Sequence, residues 1–133
     1  MSDAVTDTHA LIWYLEDNSR LSTAENEVFD KCDKGELLIH IPTICLVEII
    51  YLQEKGRISA GMKAQLDNAL IDGNSGLVLT NLTAAVVDAL ATIPRNIVPD
   101  MPDRIIVATA RHLGLPLISK DYKIASSGIA IIW

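Results

Sequence analysis

The chain has 133 residues, half of them hydrophobic and 21% charged, with a formal net charge of −6. That length and apolar content suit one domain with a real core and exclude a disordered chain. No apolar run approaches the roughly 20 residues that cross a bilayer, the start Met1-Ser2-Asp3-Ala4-Val5 lacks the blocks of a secretory signal, and Cys32 and Cys45 are the only cysteines, so thiols in a cytoplasmic setting are expected rather than a disulfide framework.

Ala4-Val5-Thr6-Asp7 reads as a short strand, after which Thr8 is the expected cap of a helix from about His9 to Glu16. Ser22-Thr23-Ala24-Glu25 has capping-box spacing and opens a second helix that ends near Asp33, before Gly35. Leu37 to Ile41 is a buried strand, and Pro42-Thr43 introduces a helix stopped by Gly56. A further helix is expected from Ser59 to about Asp72, then the turn Gly73-Asn74-Ser75-Gly76 and a strand Leu77-Val78-Leu79. Thr83 to Thr92 is helical. The segment from Ile93 to Pro102 holds three of the five prolines and reads as a loop. A helix then runs from about Asp103 to Leu113 with Gly114 as its stop, followed by strands at Pro116–Ser119 and Ile129–Ile132.

Strands alternate with helices, and several strands are continuously apolar. This pattern predicts an α/β fold with a mainly parallel sheet covered on both faces. Sites in such sheets gather at the carboxyl ends of strands. Four acids stand where they would meet there. Asp7 and Asp121 each follow a strand, Asp103 opens an apolar helix, and Glu48 interrupts the run Ile44 to Leu52. A carboxylate among apolar neighbours is costly unless a cation or donor compensates it. Gathered together, the four make an oxygen-ligand site of the kind that holds Mg²⁺ or Mn²⁺. Unmetallated, they would repel, so at least one would hold its proton more tightly. Each also has a plainer reading: Asp7 as a helix cap, Asp103 as a first-turn charge, Asp121 as a turn residue, Glu48 as part of a solvated face.

These residues resemble a PIN domain, and specifically the VapC-type toxins of prokaryotic toxin–antitoxin pairs. The matching stretches are Asp7-Thr8-His9-Ala10-Leu11-Ile12-Trp13, Leu46-Val47-Glu48-Ile49, Asp103 to Ala110, and Leu113 to Asp121, in the family's order over nearly the whole chain. The resemblance implies a three-layer α/β/α sandwich and metal-dependent cleavage of RNA. It implies Asp7, Glu48, Asp103 and Asp121 as catalytic metal ligands, with Asp7 and Asp103 at the core. Ser119 and Asp100 are expected behind them. The family often shows Asp-Pro, two residues and Arg; here the order is Asp100-Met101-Pro102-Asp103-Arg104, which leaves Asp100 open as a supporting residue or a loop acid. The partners implied are RNA, a cognate antitoxin whose C-terminal segment blocks the acidic site, and a second copy of the chain.

The charge is uneven. Residues 1–54 carry −8 and residues 55–133 carry +2, so the C-terminal half offers a phosphate-facing surface, with uneven surface charge as the plainer account. Arg104, Arg111, Lys120 and Lys123 lie near the acids, and Arg104 and Lys120 are the RNA-binding candidates. His9, His40 and His112 lack zinc spacing, and no nucleophile motif or phosphate-binding glycine loop occurs. Trp13 and Tyr14 read as core or interface residues, or as surfaces for stacking a base. Two other functions compete with the nuclease: a non-catalytic PIN-like protein-binding module, and a receiver-like signalling domain, which would need paired acids early in the chain and an acceptor aspartate near its middle.

Overall fold

The computed structural model describes residues 2–133. Five short strands carry the architecture: β1 (Ala4–Thr6), β2 (Ile39–Pro42), β3 (Leu77–Thr80), β4 (Leu117–Ile118) and β5 (Ile131–Ile132). They form one sheet in the order β3-β2-β1-β4-β5, with every pairing parallel. Six α-helices connect them: α1 (Thr8–Leu15), α2 (Thr23–Asp33), α3 (Thr43–Glu54), α4 (Met62–Ile71), α5 (Ala84–Ala91) and α6 (Met101–Leu113). Helix α6 lies on β1 and β2 with α5 packed against it, while α1, α3 and α4 pack on one another. The result is the three-layer α/β/α sandwich expected from the buried strands.

The strand order places the site. The chain moves outward from β1 to β2 to β3, then crosses back to β4 and β5 on the other side of β1. Connections leave β1 and β4 in opposite directions, and such a reversal opens a crevice at the carboxyl ends of the two strands. Asp7 follows β1, and Ser119 and Asp121 follow β4.

Local chemistry explains the element ends, including three that differ from expectation. Asp7, not Thr8, caps α1: its side chain accepts from the Ala10 amide at 2.9 Å. Thr8 is already helical, so its hydroxyl turns elsewhere. Helix α4 starts at Met62 because the Ser59 hydroxyl takes the Gly61 amide and holds the preceding residues in a turn. Helix α6 begins at Met101 rather than Asp103. Asp100 caps it by accepting from the Asp103 amide at 3.2 Å, and Pro102 fits the first turn because no intrahelical donor is needed there. The capping box of α2 forms as its sequence predicts, with Ser22 and Glu25 bonding each other's backbone. Gly114 closes α6 at φ 67°, in the left-handed region that glycine enters without a Cβ penalty. A 3₁₀ turn over Tyr122–Ser127, absent from the sequence reading, is capped by Asp121.

The core joins strand residues Val5, Ile39, Ile41, Leu117 and Ile118 to Leu11, Phe29, Ile49, Leu66 and Ile106 from the helices. Cys32 and Cys45 are buried and unbridged. Among the described residues, no helix is long and apolar enough to cross a membrane.

Candidate active site

Asp7, Asp103, Ser119, Lys120 and Asp121 line one cleft of about 310 Å³, together with His9 and Trp13. Their positions follow from the elements that carry them. Asp7 is fixed as the α1 cap. Ser119 is fully buried; its hydroxyl accepts from the Asp121 amide at 3.1 Å, and it lies near enough to Asp7 to favour that carboxyl's charged form. The backbone ties the two strand ends together, with the Asp7 amide donating to the Ile118 carbonyl at 3.1 Å. Asp121 accepts from the Lys123 amide at 2.9 Å. Glu48 lines an adjoining groove of about 400 Å³ that shares His9 with the cleft. It is aimed by Thr8, whose hydroxyl donates to Glu48 Oε1 at 2.5 Å.

The electrostatics bind these acids into one group. Burial pushes the Asp103 carboxyl up to about 6, and the nearby charges of Asp100, Glu48, Asp7 and Asp121 add to the shift. Burial also raises Asp7, against hydrogen bonds from Ala10 and Ser119 that favour its charged form. Cys45 lies fully buried beside the group; burial and the charges of Asp7, Glu48 and Asp103 keep its thiol protonated. The repulsion expected of close carboxylates therefore bears on Asp103, and Glu48, Asp7 and Asp121 all contribute to it. Among the described residues, however, no three His, Cys, Asp or Glu side chains stand close enough to cage an ion as they are. The donor set, all oxygen and rich in negative charge, fits a hard divalent cation. Direct coordination by three of the acids would require side-chain rotation.

Three other predicted residues fall differently. Asp100 is exposed and caps α6, and its charge bears on Asp103. Arg104 turns away from the phosphate role: Nε and Nη2 donate to the Ile93 carbonyl at 3.1 and 2.9 Å, pinning the proline-rich loop. Arg111 likewise bonds Thr92 and Ser127. Lys120 alone of the candidates borders the cleft.

Sequence reasoning missed two residues. In the sequence Thr8 reads only as a cap, although its hydroxyl reaches Glu48. Glu25 reads only as the capping-box partner. It is fully buried; Oε1 accepts from the Ser22 amide at 3.1 Å, and Oε2 is buried without a partner. Burial lifts its carboxyl to about 7, with Asp7 raising and Lys120 lowering it. No pattern in the sequence marks that burial.

The parallel sheet and the acids converging at its switch point define an α/β domain with an acid-lined cleft. The family model of the PIN domain matches residues 4–128, and the chain belongs to the PIN domain family. It is 25% identical over 126 residues to Ribonuclease VapC22 of Mycobacterium tuberculosis, covering 95% of this chain and 92% of that protein. Its fold is similar to that in the crystal structure of VapBC2 from Rickettsia felis bound to a promoter DNA fragment (TM-score 0.72, 13% identity, 97% of this chain and 96% of that one). It is also similar to a toxin–antitoxin complex from Klebsiella pneumoniae (TM-score 0.64, 18% identity, 98% and 96%).

Proposed function

We propose that the protein is a VapC-type toxin, a Mg²⁺- or Mn²⁺-dependent endoribonuclease neutralised by a cognate antitoxin. The supporting observation is the convergence of acids from four separate elements on the carboxyl edge of the sheet, close enough that the other three all raise the Asp103 carboxyl. A scaffold has no use for four carboxylates that repel one another. Asp7 and Asp103 are the core ligands of the ion, and Glu48 and Asp121 bind directly or through water. A bound divalent ion supplies an acidified water and stabilises anionic oxygen on the phosphate and leaving group. The Ala10 amide holds Asp7 in its orientation, with Ser119 beside it in the cleft. Lys120 contacts the RNA backbone from the cleft's rim.

The antitoxin has a place to act. The groove lined by Ile44, Val47, Glu48, Tyr51 and Met101 is largely apolar and runs up to Glu48. A segment lying there would approach the acids, and an arginine or lysine from it would neutralise them. The exposed side chains of that groove, Val47 and Tyr51 among them, are what a non-catalytic binding module would use. Cleavage separates the two readings. Purified protein with Mg²⁺ or Mn²⁺ should cut RNA. EDTA should abolish the cutting. Asp7→Asn and Asp103→Asn should each lower it by more than the roughly 10- to 100-fold that outer-shell losses cost. A folded, antitoxin-free parent that cuts no RNA from a total cellular pool would favour the binding module. The protein is expected to dimerise, and light scattering showing only monomer at high micromolar concentration would remove that part of the reading.

A further inference from the structure

The chain has two tryptophans, and one lysine lies against both of them. Lys120 Nζ is 6.0 Å from the Trp13 ring centre and 5.2 Å from that of Trp133. Arg20 brings a second cation, its guanidinium carbon 6.0 Å from the Trp13 ring centre. His9, one helical turn before Trp13 on α1, places its imidazole 6.1 Å from the indole at a tilt of 57°. His9 and Trp13 therefore share the face of α1 that borders the cleft of Asp7, Asp103 and Asp121. Trp13 is half-buried: it packs on the core yet keeps part of its ring at the cleft wall.

The cations beside it are in no ion pair. Among the described residues the ion pairs are Lys31–Glu36 and Lys63–Asp67, so neither Arg20 nor Lys120 is neutralised by a carboxylate. Arg104 and Arg111, by contrast, are tied to backbone carbonyls. In a chain of net charge −6, these two cations put positive charge beside an aromatic ring at the rim of an acidic cleft. A core tryptophan needs no such company. A single-stranded nucleic acid does, because its bases stack on aromatic faces while its phosphates seek cations.

We propose that Trp13 is a base-stacking subsite for single-stranded RNA, holding the nucleotide beside the phosphate in the acidic cleft, with Lys120 and Arg20 on the adjoining phosphates. This rests on the ribonuclease reading above and adds a substrate-binding residue to it. Trp133 acts indirectly, as the surface that keeps Lys120 over the cleft rim. The subsite accepts any base, since every base has a π face, so it selects unpaired strands rather than a sequence.

The test uses the full chain with Mg²⁺ in an Asp103→Asn background that stops cutting. The probes are a random-sequence single-stranded RNA pool and an abasic ribose–phosphate oligomer of equal length. With Trp133→Phe leaving Trp13 as the only tryptophan, RNA should quench its emission and the abasic oligomer should not. Trp13→Leu should weaken RNA binding by roughly 5- to 150-fold and leave abasic binding within about twofold. Trp13→Phe, which keeps the fold and an aromatic face, should recover part of the loss. Lys120→Gln should weaken both probes alike and flatten the salt dependence. Equal loss for both probes on Trp13→Leu, or no quenching in a parent that cleaves RNA, would overturn the subsite and leave the nuclease standing. A parent that neither binds nor cleaves RNA would overturn both.

Discussion

The Thr8 hydroxyl links one end of α1 to the middle of α3 through Glu48 Oε1, at a 2.5 Å separation. A hydroxyl that orients a ligand carboxylate is an outer-shell group, and losing one typically costs 10- to 100-fold in metal affinity or activity. Thr8→Val keeps the shape and removes the donor. It should weaken Mn²⁺ binding and RNA cleavage by roughly that factor, with little change in fold, as read by calorimetric titration and cleavage rate. Glu25 poses a different problem, because its unpartnered Oε2 is buried and its carboxyl titrates near 7 instead of 4.5. The folded state therefore holds this proton more tightly than the unfolded one. Stability from this group is full below pH 4.5 and is lost as pH rises through 7. One such group contributes a slope of about 1.4 kcal/mol per pH unit across that window. Glu25→Gln should flatten the fall in denaturation midpoint over the same range. An unchanged profile would mean that the carboxyl is solvated.

Helix α6 shows how an element boundary sets the chemistry of a site. Asp100 does two things: it accepts from the Asp103 amide, and it is the largest charge among those lifting the Asp103 carboxyl. Asp100→Ala should cost about 1 kcal/mol of stability through the lost cap. It should also let Asp103 ionise below its present value of about 6, moving the acid limb of the cleavage–pH profile downward. A cap without electrostatic influence would give the first effect and not the second. The sequence supports part of this element. The prolines and the Asp103-Arg104 pair located a loop followed by a helix, and the apolar run to Ala110 fixed its burial. The helix starts at Met101, two residues before the expected Asp103, because proline in a first turn loses no hydrogen bond and Pro102 does not break it. Arg104 shows the matching limit for function. Its position beside Asp103 suggested a phosphate contact, but direction around a helix decides the outcome, and its guanidinium points back to Ile93. The capping box at Ser22 and Glu25 was readable because both partners are local; the burial of Glu25 was not, since it depends on what α2 packs against.

At the scale of the whole molecule, strand order gathers what the sequence scatters. Asp7 and Asp121 are 114 positions apart, yet β1 and β4 are neighbours, and the Asp7 amide bonds the last residue of β4. Alternating strands and helices made the parallel sheet legible; its order was not, because nothing local says on which side of β1 the fourth strand will pair. That order concentrates negative charge at one edge, and the folded state responds by binding protons. Asp103 titrates near 6 against an ordinary 3.8, and Asp7 is raised as well. Between those values the native protein holds more protons than the unfolded chain, so metal-free stability should fall as pH rises through about 6. A divalent ion requires the deprotonated acids, so it should act in the opposite sense. Above that pH, Mn²⁺ at a hundredfold excess over its Kd should add about 2.7 kcal/mol and raise the melting temperature. Below pH 3.8, where Asp103 is protonated, it should add almost nothing. Asp103→Asn should remove both the metal response and part of the metal-free decline, because both come from the same carboxyl. Melts of the parent that do not respond to millimolar Mn²⁺ at any pH would show that the four acids repel one another without holding an ion.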